Sequence, residues 1–323
     1  MTRVLVTGGA GFIGRWVVKA LLAEGYETVV LDDFSNGNTS NLAEFQNETR
    51  LTVLENTVAD EAAVMGAFAG GIDACLHLAA KINVQHSIDN PRDSYLPDVQ
   101  GTLNVLEEAR RVGARVVFMS TCMVYERAYG HALREDDPVR PASPYAASKL
   151  SGEQLVISFG LAYSLPVCVL RPFNTYGPFQ RADGEGGVVW IFCKRADEGE
   201  AIEVFGDGTQ TRDLLYVEDC AELVLRAAFS DAVQGEIVNG GTGVDVEIRA
   251  LAELIGGRTV RVVQSPHPHP QAEIAKLVCD ASKAERLLHW KATTPLTDGV
   301  QRTQAWIAEN AARSRGAEAK HSG

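Results

Sequence analysis

Apolar residues fall in short unbroken runs through the first half of the chain: RVLVT at 3–7, TVVLD at 28–32, ACLHLA at 74–79 and RVVFMS at 115–120. Runs without polar alternation belong to strands covered on both faces, and the longer helical patterns between them suit right-handed crossovers. The pattern predicts an α/β fold with a Rossmann-type doubly wound parallel sheet. After about residue 166 the regularity breaks at Pro166, Pro172, Pro178 and the stretch Gly184-Glu185-Gly186-Gly187, which marks a smaller α/β substrate-binding lobe. The expected division is 1–166 for the dinucleotide-binding domain, with later segments returning to it, 167–310 mainly for the second lobe, and 311–323 as a flexible tail.

Composition changes this picture little. A chain of 323 residues with 46% hydrophobic and 22% charged residues is long enough for two lobes with sizeable cores. The formal charge of −12 disfavours nucleic acid and anionic membrane surfaces as partners, while small anions remain possible ligands. No apolar stretch approaches the roughly 18 residues of a membrane span. The six cysteines (Cys75, Cys122, Cys168, Cys193, Cys220, Cys279) show no C-x-x-C spacing, and the N-terminus lacks the apolar core of a signal peptide. Reduced thiols in a cytoplasmic protein are expected.

The candidate chemistry begins at TGGAGFIG, residues 7–14, directly after the first apolar run. Gly9-x-Gly11-x-x-Gly14 provides a tight turn, a close backbone approach to a pyrophosphate and a helix N-terminus aimed at its charge. Alone, three glycines are weak evidence. Asp32 ends the second run, where a carboxylate accepts hydrogen bonds from both ribose hydroxyls and repels a 2′-phosphate, so NAD rather than NADP is the expected cofactor. Further on, YAASK at 145–149 follows Pro144. Tyr145 and Lys149, four apart near a helix start, project from one face. An adjacent ammonium lowers the pKa of a phenol from its ordinary value of about 10 and makes it a base for an alcohol proton. Such a pair is more often a solvated helix face, and the NAD loop in the same chain tips the balance toward catalysis.

TGGAGFIG, HLAA at 77–80, the Ser/Thr-x-x-x-Tyr pattern of 120–125, YAASK, RPFNTYGP at 171–178 and GDGTQTRDLLYVED at 206–219 together resemble the extended short-chain dehydrogenase/reductase family, in particular its nucleotide-sugar epimerases and dehydratases. The resemblance runs from about residue 3 to Trp290. It implies that Gly8, Gly11, Phe12, Ile13, Gly14, Asp32, Thr57, Val58 and Ala79 hold NAD together with Tyr145 and Lys149. It implies that Thr121 meets the sugar O4 beside Tyr145, and that Lys81, Asn174, Val189, Phe205, Arg212 and His269 contact a UDP-sugar. Arg212 would fork onto the phosphates, or else pair with Asp213 or Asp219. A homodimer through the helix near 99–112 and the helix carrying Tyr145 is also implied.

Several positions depart from the family pattern. Thr57 stands where an aspartate often meets adenine, and Asp98 replaces a frequent asparagine. HPHP at 267–270 lies where a second phosphate-binding arginine is common; His267 and His269 have no third ligand in the sequence, so no metal is expected. In STCMVYE (120–126), Cys122 and Met123 occupy the two positions where 4,6-dehydratases carry an Asp-Glu pair, and Glu126 replaces a glycine. The expectation is transient C4 oxidation through Tyr145, after which Cys122 and an inward-pointing Glu126 share the acid and base work of expelling water across C5 and C6. Among known activities the nearest in kind is the UDP-N-acetylglucosamine 5,6-dehydratase of tunicamycin-type pathways. A UDP-sugar 4-epimerase, a 4,6-dehydratase and a non-catalytic NAD-binding sensor are the alternatives. A buried thiol that serves only as a small hydrophobe is the competing view of Cys122.

Overall fold

The computed structural model describes residues 2–126, 130–180, 187–266 and 275–321. Strands β1 (Arg3–Thr7), β2 (Glu27–Asp32), β3 (Leu51–Glu55), β4 (Ala74–His77), β5 (Arg115–Met119) and β6 (Val167–Pro172) form a parallel sheet. Beyond β6 come the short strands β7 (Asn174–Tyr176), β8 (Ile202–Phe205), β9 (Thr211–Arg212) and β10 (Leu214–Tyr216), after which β11 (Glu236–Gly240) returns to pair with β6. The seven-stranded order is β11-β6-β5-β4-β1-β2-β3. The chain turns outward in opposite directions from β1 and β4, which leaves a crevice between their carboxyl ends.

Helices α1 (Phe12–Ala23), α2 (Glu61–Phe68), α3 (Val84–Asp89) and α4 (Pro91–Tyr95) lead into a five-residue π turn, Leu96–Gln100, that continues as α5 (Gly101–Val112). Then follow α6 (Pro144–Tyr163), α7 (Val188–Asp197), α8 (Val217–Ala228), α9 (Ile248–Gly256), α10 (Ser282–Leu288) and α11 (Leu296–His321). The unbroken apolar runs are explained by alternation along each strand. Val4, Val6, Val30, Leu76, Val117 and Leu170 pack with α1 and α8, while Leu5, Val29, Leu31, Cys75, Phe118 and Val169 pack with α2, α5 and α6. Both faces are therefore dry.

Away from the sheet, β7 pairs with β10, β8 with β13 (Val262–Ser265), and β9 lies between β12 (Val246–Glu247) and β14 (Lys276–Leu277). At the C-terminus α11 continues as helical backbone to His321, through the segment expected to be a flexible tail.

Leu106 of α5 is fully buried against the sheet. Leu106→Ala is expected to lower unfolding stability by about 2–5 kcal/mol, read as a lower urea midpoint with an unchanged slope.

Candidate active site

The loop after β1 is shaped by contacts that only glycine permits. A Cβ on Gly14 would lie 2.1 Å from the Gly8 carbonyl oxygen, and Gly8 itself adopts φ +71°. The loop closes with Gly8 N–H donating to Leu31 O at 2.9 Å and Gly11 N–H donating to Gly8 O at 3.1 Å. The N-cap of α1 is Gly11, with no side-chain cap, so its first-turn N–H groups are open to an anion. Asp32, at the carboxyl end of β2, accepts the N–H groups of Ala10 and Phe34, each at 2.8 Å. Burial raises its pKa, and those two bonds oppose the shift. After β3, the Thr57 hydroxyl is used within its own turn, accepting Ala59 N–H at 3.2 Å.

At the other end of the crevice, β5 runs out into Ser120 and Thr121. Thr121 caps a single 3-10 turn over Cys122–Val124, its hydroxyl oxygen accepting Met123 N–H at 3.2 Å. Helix α6 starts where Ser143 caps Ala146 N–H and Pro144 takes the first helical position, the arrangement its sequence calls for. Tyr145 N–H donates to Ser87 Oγ at 3.1 Å, which ties the first turn of α6 to α3. One turn on, Lys149 is buried with Nζ 4.4 Å from the centre of the Phe118 ring. Burial lowers its pKa, while the carboxylates of Asp98 and Glu153 oppose the fall.

One cavity of about 890 Å³ joins these parts. Its wall includes Gly8, Gly11, Phe12, Ile13, Gly14, Asp32, Thr57, Val58 and Ala79 at one end, and Lys81, Thr121, Cys122, Tyr145, Lys149 and Asn174 at the other. The glycine loop, the open helix N-terminus and the Asp32 carboxylate fit the pyrophosphate and adenosine ribose of NAD. The Tyr145–Lys149 end would receive the nicotinamide.

The remaining residues singled out in the sequence lie elsewhere. Glu126 is a correction: it does not join the cavity wall and instead pairs with Arg140 at 3.2 Å. The adjoining Tyr125 bridges Val139 and is buried, its hydroxyl donating to Asn239 at 2.6 Å. Val189 is buried in the core on α7, Phe205 is 40% exposed on β8, and Arg212 on β9 donates to Thr211 O at 2.7 Å. None of these three lines the cavity. The carboxylates proposed as alternative partners of Arg212 accept other donors, Asp213 from Thr242, Gly243 and Cys279, and Asp219 from Thr293 and Thr294. His269 lies outside the described residues. Among the described residues no group of three or more His, Cys, Asp or Glu side chains is arranged to hold a metal ion, and no helix is long and apolar enough to cross a membrane.

Cys122 is buried among Val124, Tyr125, Leu133, Phe173, Leu277 and Cys279 and still borders the cavity. Burial pushes its thiol up to about 12, with Arg212 opposing and Asp213 reinforcing the shift. Burial therefore keeps this thiol protonated near neutral pH.

Polar supports below the site escaped the sequence patterns. Arg171 forks onto Glu153 at 2.9 and 2.7 Å, and Ser120 donates to the same carboxylate. His77 is bonded on both nitrogens, to Thr7 Oγ1 at 2.7 Å and Thr102 Oγ1 at 3.0 Å, and burial pushes its pKa down to about 3, so it stays neutral. The available signal for Glu153 is its spacing, four residues beyond Lys149 on the same helix.

Comparison with known proteins places this geometry. The family described as NAD dependent epimerase/dehydratase matches residues 4–241. UDP-glucose 4-epimerase of Mycolicibacterium smegmatis is 36% identical over 307 residues, covering 93% of this chain and 97% of its own. The X-ray structure of Pal from Bacillus thuringiensis superposes with a TM-score of 0.92 at 48% identity, covering 96% of this chain and all of that one. UDP-glucose 4-epimerase of Thermotoga maritima, solved with UDP-glucose, gives a TM-score of 0.89 at 32% identity, over 96% and 99% of the two chains.

Asp32→Asn is expected to weaken NAD binding roughly 10- to 100-fold by removing a charged acceptor worth about 1.5–3 kcal/mol, and to narrow the gap between NAD and NADP. Titration calorimetry with each dinucleotide reads both effects.

Proposed function

The chain belongs to the NAD dependent epimerase/dehydratase family, and within it we propose a 5,6-dehydratase that oxidises C4 of a UDP-hexose transiently and removes water across C5 and C6. NAD dependence and nucleotide-sugar chemistry are common ground for the family. The observation that carries the finer reading is Cys122. A buried, protonated thiol adjoins Thr121 in the wall of the cavity that holds Tyr145 and Lys149, and no carboxylate stands at Cys122 or Met123. The UDP-sugar named with the Thermotoga maritima structure supports the substrate class. UDP-N-acetylglucosamine is the first substrate to test.

NAD, when bound, supplies the hydride acceptor and donor for C4. Tyr145, as phenolate, takes the proton of the C4 hydroxyl while Thr121 donates a hydrogen bond to O4, and Lys149 holds the ribose and favours the phenolate. The resulting carbonyl acidifies the C5 hydrogen. That proton passes to a general base, for which Lys81 and His86 are candidates among the described residues of the wall. Cys122 gives its thiol proton to the departing C6 hydroxyl, which leaves as water, and a C5–C6 double bond forms. Tyr145 returns its proton to O4 as C4 is restored to an alcohol. The sum is loss of one water with no net oxidation. The base then reprotonates the thiolate through solvent.

A second reading is 4-epimerisation, favoured by the activities named for the Mycolicibacterium and Thermotoga relatives. It needs Tyr145 and Thr121 but no acid at C6. A homodimer through α5 and α6 belongs to the same proposal; Leu161 of α6 is 83% exposed, and gel filtration should give twice 34.8 kDa.

Incubation with UDP-N-acetylglucosamine should yield a product lighter by one water with an exocyclic methylene signal. An unchanged mass with inverted C4 would establish epimerisation instead, and a C6 methyl signal would mean 4,6-dehydration. Cys122→Ala should reduce elimination at least about 100-fold while C4 oxidation persists; undiminished elimination removes the thiol from the mechanism. Tyr145→Phe should form no product of any kind.

A further inference from the structure

The π turn Leu96–Gln100 delivers one carboxylate, Asp98, into the corner between the cavity loop after β4 and the catalytic helix α6. Asp98 is 1% exposed. Its Oδ1 accepts Lys81 N–H at 2.9 Å, and its Oδ2 lies 2.6 Å from Ser148 Oγ, whose hydroxyl is shared with the Tyr145 carbonyl at 2.8 Å. Its own carbonyl accepts the Thr102 hydroxyl at 2.6 Å, and that hydroxyl bonds His77. Gly152 allows the close approach of α6, since a Cβ there would stand 3.4 Å from Asp98 O and 2.6 Å from the Phe118 ring.

We propose that Asp98 is a positioning residue that supplies the counter-charge for the buried Lys149 ammonium and so sets the pH range in which the Tyr145–Lys149 pair works. The charges facing Lys149 are few. Glu153, on the same helix, is engaged by Arg171 in a bidentate pair that occupies both its oxygens. His77, from β4, is held neutral between two hydroxyls. Phe118, from β5, offers only its ring face. Lys81, beyond Asp98, brings its backbone N–H to the carboxylate and adds a further positive charge near it. Glu153 also acts on Lys149 through space, but it is paired with Arg171, and the buried set Lys149, Arg171, Asp98, Glu153 sums to zero only with the Asp98 charge included. A buried ammonium without such a match gives up its proton. An asparagine in this place would keep the hydrogen bonds and leave that set one charge positive.

Tyr145 acts here as the base assigned to it above, and the catalytic half of this role rests on that assignment. The sign is the same for both members of the pair. Removing a nearby anion favours the deprotonated form of the phenol and of the ammonium alike, so both limbs of a pH–rate profile move toward acid.

The test compares wild-type protein, Asp98→Asn and Ser148→Ala, all loaded with NAD. In side-chain NMR of lysine-labelled protein without substrate, Asp98→Asn should lower the pH at which Lys149 loses its proton by roughly one unit or more, a tenfold change in its protonation equilibrium. Ser148→Ala, which removes a hydrogen bond and keeps the charge, should leave that titration nearly in place. Both limbs of the turnover profile should follow the Asp98→Asn shift. A lowered rate with unmoved limbs and an unmoved Lys149 titration reduces Asp98 to a structural tie and overturns the proposal. If Asp98→Asn does not fold, the carboxyl signal of Asp98 in labelled wild-type protein decides: it should remain that of a carboxylate across about pH 5 to 9, and protonation within that range overturns the proposal. If Lys149 shifts as expected while no UDP-hexose is turned over by wild-type enzyme, the function assigned above fails and the counter-charge role stands.

Discussion

A parallel sheet packed by helices on both faces has only its strand ends left for polar groups. That constraint organises the whole molecule. Thr7, Asp32, His77, Ser120 and Arg171 stand at or just past the carboxyl ends of β1, β2, β4, β5 and β6, and the cavity opens along that row. Inside the strands of the seven-stranded sheet the titratable groups are Cys75 and Cys168, whose thiols burial holds protonated, and Arg171 one residue before the end of β6.

The second level of organisation is charge matching beneath the cavity. Ser120, Glu153 and Arg171 join β5, α6 and β6 through a carboxylate whose oxygens are both occupied. Because the partners are fully desolvated, removing one would strand the other at a cost of about 3–5 kcal/mol. The pair therefore fixes where α6 lies, and with it where Tyr145 and Lys149 project. The same region holds Lys149 over an aromatic face, a setting in which an ammonium is stabilised by the ring quadrupole and by nearby carboxylates.

Much of this was legible in the sequence, for physical reasons that differ by element. The strands announce themselves through unbroken apolar runs, since no solvent-facing position interrupts them. The glycine loop is readable because Gly14 cannot carry a Cβ beside the Gly8 carbonyl, and Asp32 because its distance from the loop follows from one strand-helix-strand unit. Tyr145 and Lys149 follow from helical spacing. The partner of Glu126 is invisible in a motif: Arg140, with which it pairs, lies fourteen residues on. Cys122 stands out in the sequence by its place beside Thr121, but its burial among residues as distant as Leu277 and Cys279 depends on segments brought together only by the fold. Glu153, Arg171 and Asp98 acquire meaning only from partners tens of residues away.

The π turn at Leu96–Gln100 adds a constraint of another kind. A regular helix advances about 100° per residue, and a π turn accommodates one residue more than the helix on either side of it. The orientation of Asp98 toward Ser148 and Lys81 is thus written in chain length as well as in residue identity. Deleting a single residue from this stretch would regularise the helix and swing the carboxylate away from α6, even with every side chain of the site unchanged. The spacing between HLAA and YAASK is in that sense part of the candidate site.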